Sequence, residues 1–182
     1  METRRRPRKL DSDGLWDYAL RILAQRPYSS AELRQKLSRR ADAPDSVTTT
    51  LTKLRDYGFA DDAKFSESFA SARLQNQGFG RVRVMRDLRA KRVSSSVAQK
   101  AIDKAFSSVN EADLARRFLE KKYRGRDLFE LFEEEKQLAA AYRRLRTAGF
   151  TGRVSLTVLK SYARRAEELE DLPEPEDQTE PE

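Results

Sequence analysis

Apolar residues recur along this chain at helical intervals. Trp16, Ala19, Leu20 and Leu23 stand at i, i+3, i+4 and i+7, and two further sets, Val47, Leu51, Leu54 and Phe65, Phe69, Ala72, repeat the spacing. Each set falls on one helix face, because a turn takes 3.6 residues. No stretch alternates with a strand period for long enough to compete. The pattern predicts about nine helices, near residues 13–26, 30–40, 45–57, 61–77, 81–91, 95–106, 110–122, 132–148 and 153–168. The fold class is all-α.

Start and stop signals separate these segments. Ser29 with Glu32 three residues later makes a capping box. Asp42 or Asp45 can open the next helix, with Pro44 in its first turn. Ser94 to Ser96 precede Val97, and Asn110 precedes Asp113, in the same manner. A repeat then emerges with a period near 50 residues. Leu33 and Leu37 correspond to Val84 and Leu88, each pair followed by a basic end, Arg39-Arg40 or Lys91-Arg92. Val47 and Leu51 correspond to Val97 and Ala101. A looser third copy runs through Leu138, Tyr142, Leu145, Gly149-Phe150, Val154 and Val158.

This predicts three three-helix repeats, at 13–60, 61–108 and 109–166, with an insert near 125–137 that is either an extra helical turn or a mobile loop. A unit so small buries little alone, so tandem copies are expected to share contacts in an elongated, curved body. Residues 1–12 read as a basic tail and 167–182 as an acidic, disordered one with Pro173, Pro175 and Pro181 among its acids.

Composition narrows the chemistry. The chain has no cysteine and no histidine. Thiol chemistry, a Ser-His-Asp triad and a histidine zinc site are therefore excluded, and no cofactor is expected. The N-terminus has no apolar stretch behind its charges, and no apolar run approaches the ~20 residues of a membrane span. The expectation is a cytoplasmic protein that is not an enzyme. Charge is uneven. The chain holds 37 basic and 30 acidic residues, and nine of the acids lie in 167–182, where there is no base. Residues 1–166 thus keep 21 acids against 37 bases, a net +16, which suits a polyanion or acidic-surface partner.

Two motifs invite chemistry and lose it. Asp61-Asp62 could hold a metal, but behind Gly58-Phe59 it reads better as a helix start: Gly58 ends one helix in a left-handed turn, Asp61 caps the next, and Phe59 and Phe65 pack across the corner. Gly78-Phe79-Gly80 lacks the strand and the lysine of a phosphate loop, and reads as a helix end and a helix start. The run RVRVMRDLRAKR at 81–92 is different. Val84, Met85 and Leu88 share one side and Arg83 and Arg86 lie roughly opposite. Basic pairs at helix ends complement the helix dipole, but Arg83 and Arg86 come early in their helix, where that dipole disfavours cations.

The order YALRILAQRPYSSAELRQKLSRR, then LTKLRDYGFADDAKFSESFASARLQNQGFGRVRVMRDLRAKRVSSSVAQKAI, strongly resembles the RecX family of bacterial recombinase regulators. The resemblance is carried by Arg26-Pro27-Tyr28-Ser29 with Glu32-Leu33 and Lys36-Leu37, by Gly58-Phe59-Ala60-Asp61-Asp62 with Phe65, and by Gly78 with Leu88. It covers 14–106 well and 107–165 less closely, where Leu145, Gly149-Phe150 and Val154 fit the last repeat. It implies a curved tandem of three-helix repeats that binds the RecA filament on single-stranded DNA, with duplex DNA a weaker partner. It implies restraint of that filament's ATPase, strand exchange and co-protease activity, hence of recombination and the SOS response. The protein is expected to act as a monomer.

Phosphate or acidic-surface contact would fall to Arg83, Arg86, Arg89, Arg116, Arg117, Arg143 and Arg144. A direct DNA-binding protein of helix-turn-helix type, acting without a recombinase, is the competing reading. The acidic tail is either a solubilising segment or a screen over the basic body.

Overall fold

The structure, a computed structural model, describes residues 9–163 and 166. The acidic segment 167–182 and all but the last four residues of the basic tail lie outside it. Among the described residues there are ten α-helices and no strand: α1 Ser12–Leu23, α2 Ser30–Ser38, α3 Pro44–Asp56, α4 Asp62–Ala72, α5 Arg81–Ala90, α6 Ser95–Ala105, α7 Glu111–Lys122, α8 Leu128–Leu131, α9 Glu135–Thr147 and α10 Gly152–Lys160. A π-helical stretch, Arg73–Gln77, continues α4. The 125–137 insert supplies the tenth helix, α8: Asp127 accepts from the N–H groups of Phe129 and Glu130, and the turn delivers Phe132 to the core.

The caps are mostly those expected. Ser29 and Glu32 form the reciprocal box, and Asn110 accepts from Ala112 and Asp113 N–H. Asp61 accepts from Ala63 and Lys64 N–H. The start of α3 differs. Its N-cap is Ala43 with Pro44 as first helical residue, and Asp42 instead binds Ala43 N–H and the Ser46 hydroxyl. Proline at that position removes one of the unpaired N–H groups of the first turn and pre-sets its φ. The last helix ends at Lys160, short of the expected 168.

The contacts divide the chain into two compact units. One holds the described residues up to Phe69 with Leu88–Ala101. The other holds Ala70–Asp87 with the described residues from Ile102 onward. In the first, Leu15, Ala19, Ile22, Leu33, Leu37, Val47, Leu51 and Leu54 form the core. The buried stripe of α1 is therefore Leu15, Ala19 and Ile22, while Trp16, Leu20 and Leu23 flank it. The apolar arc of α1 is wide, and the periodicity located its edge instead of its centre. Leu10 pairs with Ala41 in a single parallel bridge, and Ser29, fully buried, donates its hydroxyl to the Lys91 carbonyl at 2.7 Å.

The Gly58 turn is as expected, with φ +73°. Its aromatic packing is not: Phe59 sets its edge against Trp16, 6.1 Å between ring centroids, and Phe65 stacks on Phe69. Ala72, placed on the apolar face by spacing, is exposed, and Ala70 is buried in its stead. The buried arc of α4 runs through Phe65, Ser66 and Ala70, with Phe65 at one edge, and Ala72 falls just beyond that edge.

In the second unit, α7, α9 and α10 pack around Leu119, Leu138, Leu145, Phe150 and Val158. Gly80 N–H donates to the Ala148 carbonyl and Val82 N–H to the Gly149 carbonyl. Gly80 thus does more than begin a helix. It allows the start of α5 to lie directly against the end of α9.

Candidate interaction surface

Six of the seven expected arginines belong to the second unit, and Arg89 belongs to the first. Their surroundings sort them. Arg83 Nε meets Asp87 Oδ1 at 3.0 Å, its guanidinium reaches the Thr147 carbonyl, and it lies 5.2 Å from the centre of the Phe79 ring. Arg73 approaches the other oxygen of Asp87 at 3.2 Å, an ion contact off the line of a hydrogen bond. Asp87 at i+4 therefore offsets the dipole cost of Arg83 early in α5, and Arg83 is in large part a structural residue. Arg116 is likewise engaged, with Asp113 at 2.8 Å and with Tyr162, whose phenol is pushed up by burial and by Glu120. Arg144 lies 5.2 Å over the Tyr123 ring.

No ion pair to Arg86, Arg89, Arg117 or Arg143 occurs among the described residues. Arg117 lines a concavity of about 350 Å³ with Lys121, Gln75, Asn76 and Gly78. A cation that no carboxylate neutralises keeps its full charge for a partner, so of the seven expected arginines these four offer the most to one.

Sequence reasoning missed a second cationic concavity, in the first unit. A groove of about 580 Å³ is lined by Arg34, Arg39, Arg55 and Arg92, with Ser30 and Gln35 among its polar groups and Leu51 and Ala60 on its floor. Arg39, Arg55 and Arg92 stand at the ends of α2, α3 and α5. The sequence showed Arg39 and Arg92 as separate helix ends and gave no sign of Arg34 and Arg55, and only the packing brings the four round one hollow. Asp62, the acid at the rim, already accepts the Ser30 N–H at 2.7 Å.

Beside this groove the structure holds an internal acid–base joint. Lys91 Nζ meets Glu32 Oε1 at 2.7 Å, and Arg26 approaches the same oxygen at 3.4 Å. Burial acts to raise the Glu32 carboxyl. The Lys91 hydrogen bond, the Ser29 N–H and the charges of Lys91 and Arg26 outweigh it and hold the group below its ordinary value. The acids thus serve capping and pairing. No group of three or more acids that could hold a metal occurs among the described residues, and no helix there is long and apolar enough to cross a membrane.

Comparison with known proteins agrees with this architecture. Residues 16–54 match the model of the first three-helix domain of RecX, and residues 61–102 that of the second. A regulatory protein RecX of Legionella pneumophila (strain Corby) is 30% identical over 122 residues, which cover 67% of this chain and 79% of that protein. The one from Chromohalobacter salexigens is 39% identical over 87 residues, 48% of this chain and 57% of that protein's length. The crystal structure of RecX from Lactobacillus salivarius has the same fold, with a TM-score of 0.64 at 18% identity, covering 84% of this chain and 96% of that one. With all-helical triplets, both domain models in order, and a relative matched over most of its length, the chain belongs to the RecX family of regulatory proteins.

Proposed function

We propose that this protein is a negative regulator of RecA. It binds the recombinase filament on single-stranded DNA and inhibits its ATPase, strand exchange and co-protease activities, and so restrains recombination and SOS repair. The observation that carries this reading is membership in a family of regulatory proteins, shown over both three-helix domains. The free cations of the second unit, Arg86, Arg117 and Arg143, support it, because they would steer the protein onto an acidic filament surface or its DNA. We read residues 13–60, 61–108 and 109–166 as successive modules of one monomeric, cytoplasmic binding protein without catalytic activity.

Titration of the cognate recombinase's DNA-dependent ATPase tests this. Inhibition is expected at amounts far below those needed to coat the DNA. Inhibition only at coating amounts would instead favour a protein that competes for DNA directly.

A further inference from the structure

We infer that residues 167–172 of the chain's own acidic segment seat in the concavity of the second unit beside α7. Leu169 and Leu172 would lie on its apolar lining, and the acids around them against Arg117 and Lys121. The segment is then a tethered occupant that covers Arg117 until a partner displaces it. Only that last consequence rests on the proposed function. The contact itself needs no recombinase.

The concavity is the first observation. It holds about 350 Å³. Leu74, Val109, Leu114 and Phe118 give it an apolar lining, and all but Leu114 remain partly open to solvent. Arg117 and Lys121 stand one turn apart on α7 at its edge, and no acid lines it. Lys121 donates to the Asn76 carbonyl at 3.3 Å, a neutral acceptor that leaves the charge of the ammonium intact. No ion pair to Arg117 occurs among the described residues. A half-open apolar lining beside two unneutralised cations fits a segment that sets leucines among carboxylates.

The second observation is the composition of the segment. Residues 167–182 hold nine acids and no base, and their only leucines are Leu169 and Leu172. Glu170 and Asp171 lie between the two, and Glu167 and Glu168 precede them. Seating the leucines removes apolar area from water, and the neighbouring carboxylates meet opposite charge at the edge.

The third observation is where the described chain ends. Ala166, fully buried, belongs to this unit. Four residues before it, Tyr162 bonds Arg116 and lies close enough to Glu120 for that charge to act on its phenol. Arg116 and Glu120 form one flank of α7. Arg117 and Lys121, each one residue further on, form the next flank, about 100° round the helix. Six extended residues span up to about 20 Å, more than the roughly 10 Å width of a helix, so the leucines are within reach of the concavity. A tether this short sets an effective concentration of about millimolar, so modest contacts suffice for occupancy.

The test uses the full chain. It has no cysteine, so two introduced thiols within one chain can only pair with each other. Gln75→Cys marks the concavity and Pro173→Cys the segment. Gln35→Cys with Pro173→Cys is the control, set at the arginine groove of the first unit, and it registers a segment that merely hovers over basic surface. Gln75 and Gln35 are both exposed. Under mild oxidation Q75C/P173C is expected to close its disulfide about tenfold faster than Q35C/P173C. Adding L169A/L172A, or R117A/K121A, is expected to bring that rate down to the control's. In the cysteine-free chain, Lys121 is expected to react with an acetylating ester several-fold more slowly than in L169A/L172A, as read by mass spectrometry.

Equal rates for the two cysteine pairs overturn the inference and leave diffuse charge screening. So does an L169A/L172A chain that closes its disulfide as fast as its parent. A cross-linked product that is a dimer overturns the tethered contact in favour of one between copies. Selective cross-linking without ATPase inhibition would sink the proposed function alone. Inhibition with unselective cross-linking would sink this inference alone.

Discussion

Gly80 and Gly149 meet backbone to backbone: a Cβ on Gly80 would lie 2.3 Å from the Gly149 carbonyl oxygen, and one on Gly149 would lie 2.2 Å from Arg83 N. Gly149 also has φ +93°, where a side chain is strained irrespective of space. Gly80→Ala and Gly149→Ala should each destabilise by about 1–3 kcal/mol or more, as overpacking against rigid backbone does. Chemical denaturation of the variants measures this. A stability within 0.5 kcal/mol of wild type, roughly the spread of neutral surface changes, would refute the crossing.

Asp61 carries a cap and no chemistry. Its carboxyl is held below the ordinary value by the Lys64 N–H and then the Ala63 N–H, with help from the Lys64 charge, while slight burial opposes. Asp61→Ala should cost about 0.5–2 kcal/mol of stability. A group whose folded-state pKa is depressed stabilises above its unfolded value, near 3.9, and that stability fades as pH falls through the folded value. The penalty of Asp61→Ala should therefore be full at pH 7 and shrink on acidification below about 4. Urea midpoints across pH check it.

The Glu32–Lys91 pair should behave in the same direction. Both side chains are partly screened from water, at 18% and 30% exposure. Lys91→Met should cost about 1–2 kcal/mol, between an exposed ion pair and a desolvated charge-assisted bond. Glu32 is also depressed, so the loss should be present at pH 7 and diminish as pH falls below about 4.3. A cost that persists undiminished at pH 3 would assign Lys91 a packing role instead.

Charge reversal should separate bound from free arginines. Arg83→Glu sets a second acid beside Asp87 and should lower stability as well as inhibition. Arg86→Glu, Arg117→Glu and Arg143→Glu have no such neighbour to offend. They should leave the melting temperature close to wild type and weaken inhibition of the recombinase ATPase several-fold. Equal inhibition by wild type and the triple variant would remove these three cations from the contact.

Deleting 167–182 removes nine acids from a chain of net charge +7. If these acids screen the basic body, the truncated protein should bind DNA and filament more tightly. The gain should be largest at low salt and vanish where the Debye length falls to a few ångströms, near 1 M. Anisotropy titrations at several salt concentrations decide it, and identical affinities at low salt would reduce the segment to a solubility aid.

Much of the molecule was legible in one dimension because its determinants are local. Caps such as Ser29, Asp61 and Asn110, the stop at Gly58 and the 3.6-residue period each act within a turn or two of helix, so the order of helices and the repeat could be read directly. So could the absence of histidine and cysteine chemistry. What stayed hidden depended on partners far along the chain. Arg83 looked free until Asp87 and the Thr147 carbonyl were seen around it. Gly80 looked like a helix start until it met Gly149, 69 residues later in the chain. The groove of Arg34, Arg39, Arg55 and Arg92 has no linear signature at all. Its four cations come from three helix ends and one helix face, and tertiary packing alone decides that their charges converge.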